Sequence, residues 1–76
     1  MRRDRLLRSV VRERFLVTLT SGEAFDGLLD RFDSKFLELV DAHTVPTAPQ
    51  QNPARVDGRL YIPRDHVAYL QRPDVS

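Results

Sequence analysis

Cysteine is absent from all 76 residues, so neither a disulfide nor a thiolate metal site can staple the fold. Apolar stretches of the ~20 residues that cross a bilayer are absent too. The arginine-rich start is followed only by short apolar pairs, which excludes the continuous apolar segment of a secretory leader. The expectation is a cytoplasmic protein with no membrane partner. His43 and His66 lie far apart, without ligand-like spacing to a carboxylate pair, so no metal is expected. No serine–histidine or carboxylate–histidine constellation can be placed, and Asp65-His66 is too generic a turn to carry acid–base chemistry. The chain therefore reads as a non-enzyme without a cofactor.

What is there begins with one short domain. A chain of this length buries only about 60% of its unfolded surface. With disulfides and metals excluded, association with further subunits is the remaining way to stabilise so small a core. The formal net charge is +1, but it is unevenly spread. Residues 1–14 carry six arginines against Asp4 and Glu13, a local charge of +4, and the remainder carries −3. Residues 4–12 read as a short amphipathic helix with Asp4 as its N-cap. Leu6, Leu7, Val10 and Val11 share one side. Arg5, Arg8 and Arg12 form the opposite side, either a second basic contact surface for phosphate or an acidic partner, or a solvated face. So short a helix is unstable alone and needs somewhere to dock, such as the open end of a barrel.

From Arg14 the apolar period changes to two. Strands are expected at about 14–20, 24–32, 36–41, 58–62 and 66–71. Thr20-Ser21-Gly22-Glu23 is a turn. Gly27, inside the second strand, marks a bend that lets one long strand serve two sheets. Asp33-Ser34-Lys35 forms the next turn. Residues 43–57, with Pro46, Pro49 and Pro53, form a long loop, either functional or, as the safer expectation, simply mobile. Pro63-Arg64-Asp65 is a tight turn. The last strand, with Tyr69-Leu70-Gln71, lacks the charges and prolines that usually guard a sheet edge. Five short twisted strands close poorly into a barrel and leave edges. Repeated head-to-tail pairing of two such edges closes into a ring. The fold class is mostly β: a short N-terminal α-helix, then a five-stranded, strongly bent antiparallel barrel.

The run FLVTLTSGEAFDGLLDRFDSKFLELVDA resembles the first motif of the Sm-like (Sm/LSm) family. Leu19, Gly22, Phe25, Gly27, Leu29, Asp33, Leu37 and Leu39 stand where the family favours those residue types. GRLYIPRDHVAYLQ resembles the second motif, with Ile62, Val67 and Leu70 in register. The likeness spans nearly the whole chain, as a divergent member of prokaryotic or phage type. It implies an SH3-like barrel in a homo-oligomeric ring of six or seven subunits. Leu60, Ile62, Val67, Tyr69 and Leu70 would then lie at the interface between subunits. It also implies single-stranded, uridine-rich RNA as a partner at the central pore, met by Asp33, Ser34, Lys35, Phe36 and Arg64. Two turns depart from the pattern. Phe36 or Leu37 stands where the family usually has asparagine, and Pro63-Arg64 replaces its Arg-Gly pair. The bacterial host-factor branch's Tyr-Lys-His run is absent. The alternative is a structural or protein-interaction ring that has kept the fold and lost nucleic-acid binding, supported by an acidic body of Asp26, Asp30, Asp33, Glu38 and Asp41.

Overall fold

Five strands follow one another in a computed structural model that describes residues 7–8 and 11–73. They are β1 (Arg14–Leu19), β2 (Ala24–Phe32), β3 (Phe36–Thr44), β4 (Leu60–Pro63) and β5 (Val67–Gln71). A single-turn 3-10 helix, Arg64–His66, joins the last two. Every pairing is antiparallel, and the strand order is β4-β3-β2-β1-β5. Strands adjacent in sequence at the end of the chain thus lie at opposite edges of the sheet. Laid flat, five strands would separate β4 from β5 by about 19 Å. The link from Pro63 to Val67 reaches about 14 Å at most. The sheet must therefore curl on itself, which makes it a bent, barrel-like sheet with two outer strands.

The curl is produced in β2 and β3. Their ladder shifts register twice, between Asp26 and Leu28 and between Leu29 and Arg31. At the first shift, the single residue Gly27 faces two on β3, Asp41 and Ala42, and Asp41 adopts φ 50°. At the second, Asp30 is the extra residue on β2. Such bulges bend a strand and re-aim the extra side chain. Gly27 is buried against β3, where an added Cβ would lie 3.1 Å from the Ala42 Cβ and 3.2 Å from the Leu39 Cβ. The expected bend at Gly27 is thus a close approach of two strands at a bulge.

Alternate residues of the strands fill the interior. Phe15 and Val17 from β1, Leu29 from β2, Leu37, Leu39 and Ala42 from β3, and Ile62 from β4 are buried together with Leu7. Phe25, Phe32, Leu60, Val67 and Leu70 pack against them. Leu7 and Val11 reach this core from the amino-terminal segment, which is the docking expected of the apolar side of residues 4–12.

Several expectations need correction. No α-helix is found among the elements of the described residues. Much of the span 4–12 lies outside those residues, as does Arg5; Leu7 and Arg8 have helical geometry. Arg12 turns the chain at φ 76° and donates its N–H to the Leu29 carbonyl at 2.6 Å. A right-handed helix cannot extend through that conformation. Strand β3 runs to Thr44 rather than ending at residue 41, and β4 begins at Leu60 rather than residue 58. The loop after β3 is not a free strap. The Thr44 N–H donates to the Ala54 carbonyl and the Val56 N–H to the Ala42 carbonyl, each at 2.8 Å, and His43 pairs with Arg55. These bonds fold residues 54–56 back along β3 and tie down the base of the loop.

Candidate nucleic-acid interface

The turn from β2 to β3 is built on one carboxylate. Asp33 Oδ1 accepts the N–H of Lys35 at 2.7 Å and that of Phe36 at 2.8 Å. The Asp33 N–H donates to the Phe36 carbonyl at 3.0 Å. An aspartate that bonds the backbone just ahead of it forms a turn by mimicking a backbone acceptor. The two N–H donors hold the Asp33 carboxyl below its ordinary 3.8, helped by the charges of Arg64 and Lys35 and opposed by partial desolvation. Hydrogen bonds to the charged form have this effect.

A second turn is clipped onto the first. The Arg64 N–H donates to the Lys35 carbonyl at 2.8 Å, and Arg64 Nη1 donates to the Asp33 carbonyl at 2.5 Å. The 3-10 turn between β4 and β5 is thereby locked to the β2–β3 turn. The consecutive Asp33, Ser34, Lys35 and Phe36 and the sequence-distant Arg64 form one patch. Within it Arg64 serves as a clamp between turns. Lys35 is exposed and has no ion-pair partner among the described residues.

Beside this patch lies an open cleft of about 640 Å³ lined by Arg31, Phe32, Asp33, Phe36, Glu38 and Tyr61. Strand register explains its composition. Phe36 pairs with Pro63, Glu38 with Tyr61 on one side and with Arg31 on the other. Phe36 and Glu38 are two residues apart on β3 and so face the same way, away from Leu37 and Leu39. Phe36 is 40% exposed and Tyr61 56% exposed. Arg31 is exposed and has no ion-pair partner among the described residues.

Two solved structures share this architecture. A heptameric archaeal Sm protein matches with a TM-score of 0.78 over 92% of this chain and 98% of its own, at 21% sequence identity. The SmAP1 heptamer of P. aerophilum matches with a TM-score of 0.81 over 95% of this chain and 93% of its own, at 20% identity. The chain has the Sm fold. No protein-family model and no curated protein matches its sequence. At such low identity the likeness lies in the backbone fold rather than in shared side chains.

The remaining candidate residues fall differently within the Sm fold. Glu38 is not an exposed member of an acidic body. It is buried at 7% exposure and ion-pairs with Arg59, which also donates from Nη1 to Asp30 Oδ2 at 2.8 Å. That hydrogen bond, with the charges of Arg12, Arg59 and Arg31, lowers the Asp30 carboxyl below 3.8 against the cost of burial. The two carboxylates in turn raise the Arg59 guanidinium. Arg12 joins the same network through Asp30 Oδ1 at 3.5 Å. Arg12 remains largely exposed, as is Arg8. Of the expected interface residues, Ile62 is core at 2% exposure, because its position on β4 points inward. Leu60, Val67 and Leu70 are half-buried against the core. Tyr69 alone among the five is exposed, at 67%. Sequence reading missed Arg31, Phe32 and Tyr61 as neighbours of the patch. The signal for them was an aromatic, Tyr61, at the outward position between Leu60 and Ile62.

Proposed function

We propose that this chain assembles into a ring of Sm type and binds single-stranded RNA on the face carrying the Asp33–Phe36 turn. It acts as a binding module rather than as an enzyme. The observation that carries this reading is the union of Lys35, Phe36 and Arg64 beside a cleft with a second exposed aromatic, Tyr61. Exposed aromatic rings offer stacking surfaces to unpaired bases, worth about 1–3 kcal/mol per base, while nearby cations meet phosphates. Phe36 and Tyr61 are diagonal neighbours across β3 and β4, a relation that separates residues by about 7–8 Å.

Ring assembly is supported by the two outer strands. Each of β4 and β5 is paired on one side only among the described residues. An unpaired strand edge is a template for another chain, and pairing β4 of one copy with β5 of the next would use both. The similar solved structures are heptamers, which favours seven subunits over six. A ring would repeat each weak RNA site and so multiply affinity through avidity.

Size-exclusion chromatography with light scattering tests the ring, for which a monomer is the contrary result. Titration of labelled oligouridine at two salt concentrations tests RNA binding. Affinity should fall as salt rises, because phosphate contacts release counterions. Absence of binding at low salt would favour the second reading, a ring with a structural or protein-binding role. One observation favours that reading: the Arg64 guanidinium is already engaged with the turn it would otherwise leave for RNA.

A further inference from the structure

The segment that presents Phe36 and Lys35 is held from two directions. From within, the Lys35 and Phe36 N–H groups meet Asp33 Oδ1, and the Phe36 carbonyl accepts from the Asp33 N–H. From the other turn, Arg64 takes two further acceptors. Its Nη1 reaches the Asp33 carbonyl at 2.5 Å, and its main-chain N–H reaches the Lys35 carbonyl at 2.8 Å. One residue 31 positions away along the chain from Asp33 thus adds two bonds to the turn.

The two cations of the patch are therefore placed differently. The Arg64 guanidinium sits on a carbonyl of the turn, and its charge acts on the ionised Asp33 carboxylate more strongly than that of Lys35 does. The Lys35 side chain is exposed and has no ion-pair partner among the described residues. Neutralising phosphates is what makes affinity fall with salt. Fixing a loop in its bound conformation raises affinity by another route, because less order is lost on binding. Charge and order thus leave separate signatures, one in the salt dependence and one in the affinity at constant salt dependence.

We propose that Arg64 is a positioning residue for RNA binding, which holds the Asp33–Phe36 turn in its binding conformation, while Lys35 supplies the charge that meets phosphate. The proposal rests on the single-stranded RNA reading above. It gives different roles to two residues that the family resemblance treats alike.

The test follows binding of a short labelled oligouridine by fluorescence anisotropy over a series of salt concentrations. It compares the unaltered full chain with Arg64→Ala and Lys35→Ala. Arg64→Ala keeps the main-chain bond to the Lys35 carbonyl and removes the side-chain bond to the Asp33 carbonyl. It should bind about 3- to 10-fold more weakly, with the slope of log affinity against log salt unchanged. Lys35→Ala, at an exposed position that leaves both Arg64 bonds in place, should flatten that slope by about 0.7 for each subunit the oligomer contacts. Hydrogen exchange on the free protein reads the positioning role without RNA. Arg64→Ala should speed exchange at the Lys35 and Phe36 amides that Asp33 holds. A slope flattened by Arg64→Ala as much as by Lys35→Ala makes Arg64 a phosphate contact and overturns the proposal. Unchanged affinity in a folded Arg64→Ala protein, or unchanged exchange at those two amides, overturns it as well. An unchanged slope in Lys35→Ala overturns the assignment of the charge to Lys35. Each of these results leaves the RNA reading standing, whereas no binding by the unaltered protein at low salt overturns that reading and the proposal with it.

Discussion

Asp33 ties local conformation to charge. Its carboxylate organises the β2–β3 turn and remains ionised below the ordinary carboxylate range because Lys35 and Phe36 donate to it. The native group titrates below 3.8, so its stabilisation is complete above that value and is lost as pH falls through the lowered native value. Asp30, lowered chiefly by the Arg59 hydrogen bond, acts in the same direction and window. Thermal unfolding followed from about pH 5 down to about pH 2.5 should show a falling Tm. Asp33→Asn, which has no group to titrate at that position, should show a shallower fall. Gly27 is the other residue with a single-atom argument. Its missing Cβ leaves room for Ala42 and Leu39, whose own Cβ atoms are anchored to the backbone of β3 and cannot swing aside. Gly27→Ala should cost about 1–3 kcal/mol by overpacking, read as a lower midpoint in urea unfolding. An unchanged midpoint would show that the two strands separate without penalty.

Strand alternation is legible along the chain itself, because Phe15, Val17, Leu37 and Leu39 repeat at the period of a half-buried strand. The extension of β3 is not. Ala42-His43-Thr44 has no apolar run, and its strand geometry comes from pairing of His43 and Thr44 with Asp26 and Phe25 of β2 and from bonds to Ala54, Arg55 and Val56 beyond an intervening proline loop. The link from Glu38 and Asp30 to Arg59 is hidden for the same reason: its partners lie on β3, on a β2 bulge and just ahead of β4. This ion-pair cluster pins the end of the loop to the sheet. Arg59→Ala should therefore raise hydrogen exchange at the Val56 and Thr44 amides, with little effect on the β1–β2 ladder. Uniform acceleration across the sheet would mean that Arg59 supports the whole fold rather than the loop.

The proposed ring depends on edges that only the complete sheet defines. Strand order places β4 and β5 at the outside while the 3-10 turn holds their linked ends near one another. Each copy thereby offers two different edges at a fixed angle, the condition for a heterologous contact that closes on itself. A lysine on an edge strand opposes such pairing by requiring burial of its charge. Tyr69→Lys, at a residue 67% exposed in the single chain, should shift the assembly toward monomer in light scattering. Retention of the full assembly would place the contact elsewhere.

By itself the sequence determined the number of strands and their succession along the chain, the turn at Asp33 and the glycine at the bend. Each depends on side chains close together along the chain: apolar alternation, an aspartate bonding its next residues, and a missing Cβ. Only the tertiary structure decided that Glu38 is buried, that Ile62 belongs to the core, and that Arg64 clamps one turn to another. It alone also brought Arg31 and Tyr61 to the cleft beside Asp33. These features depend on strand register and on where the bulges fall. A register change of one residue exchanges the inner and outer faces of a strand, and chain-local pattern does not specify that pairing across distant segments.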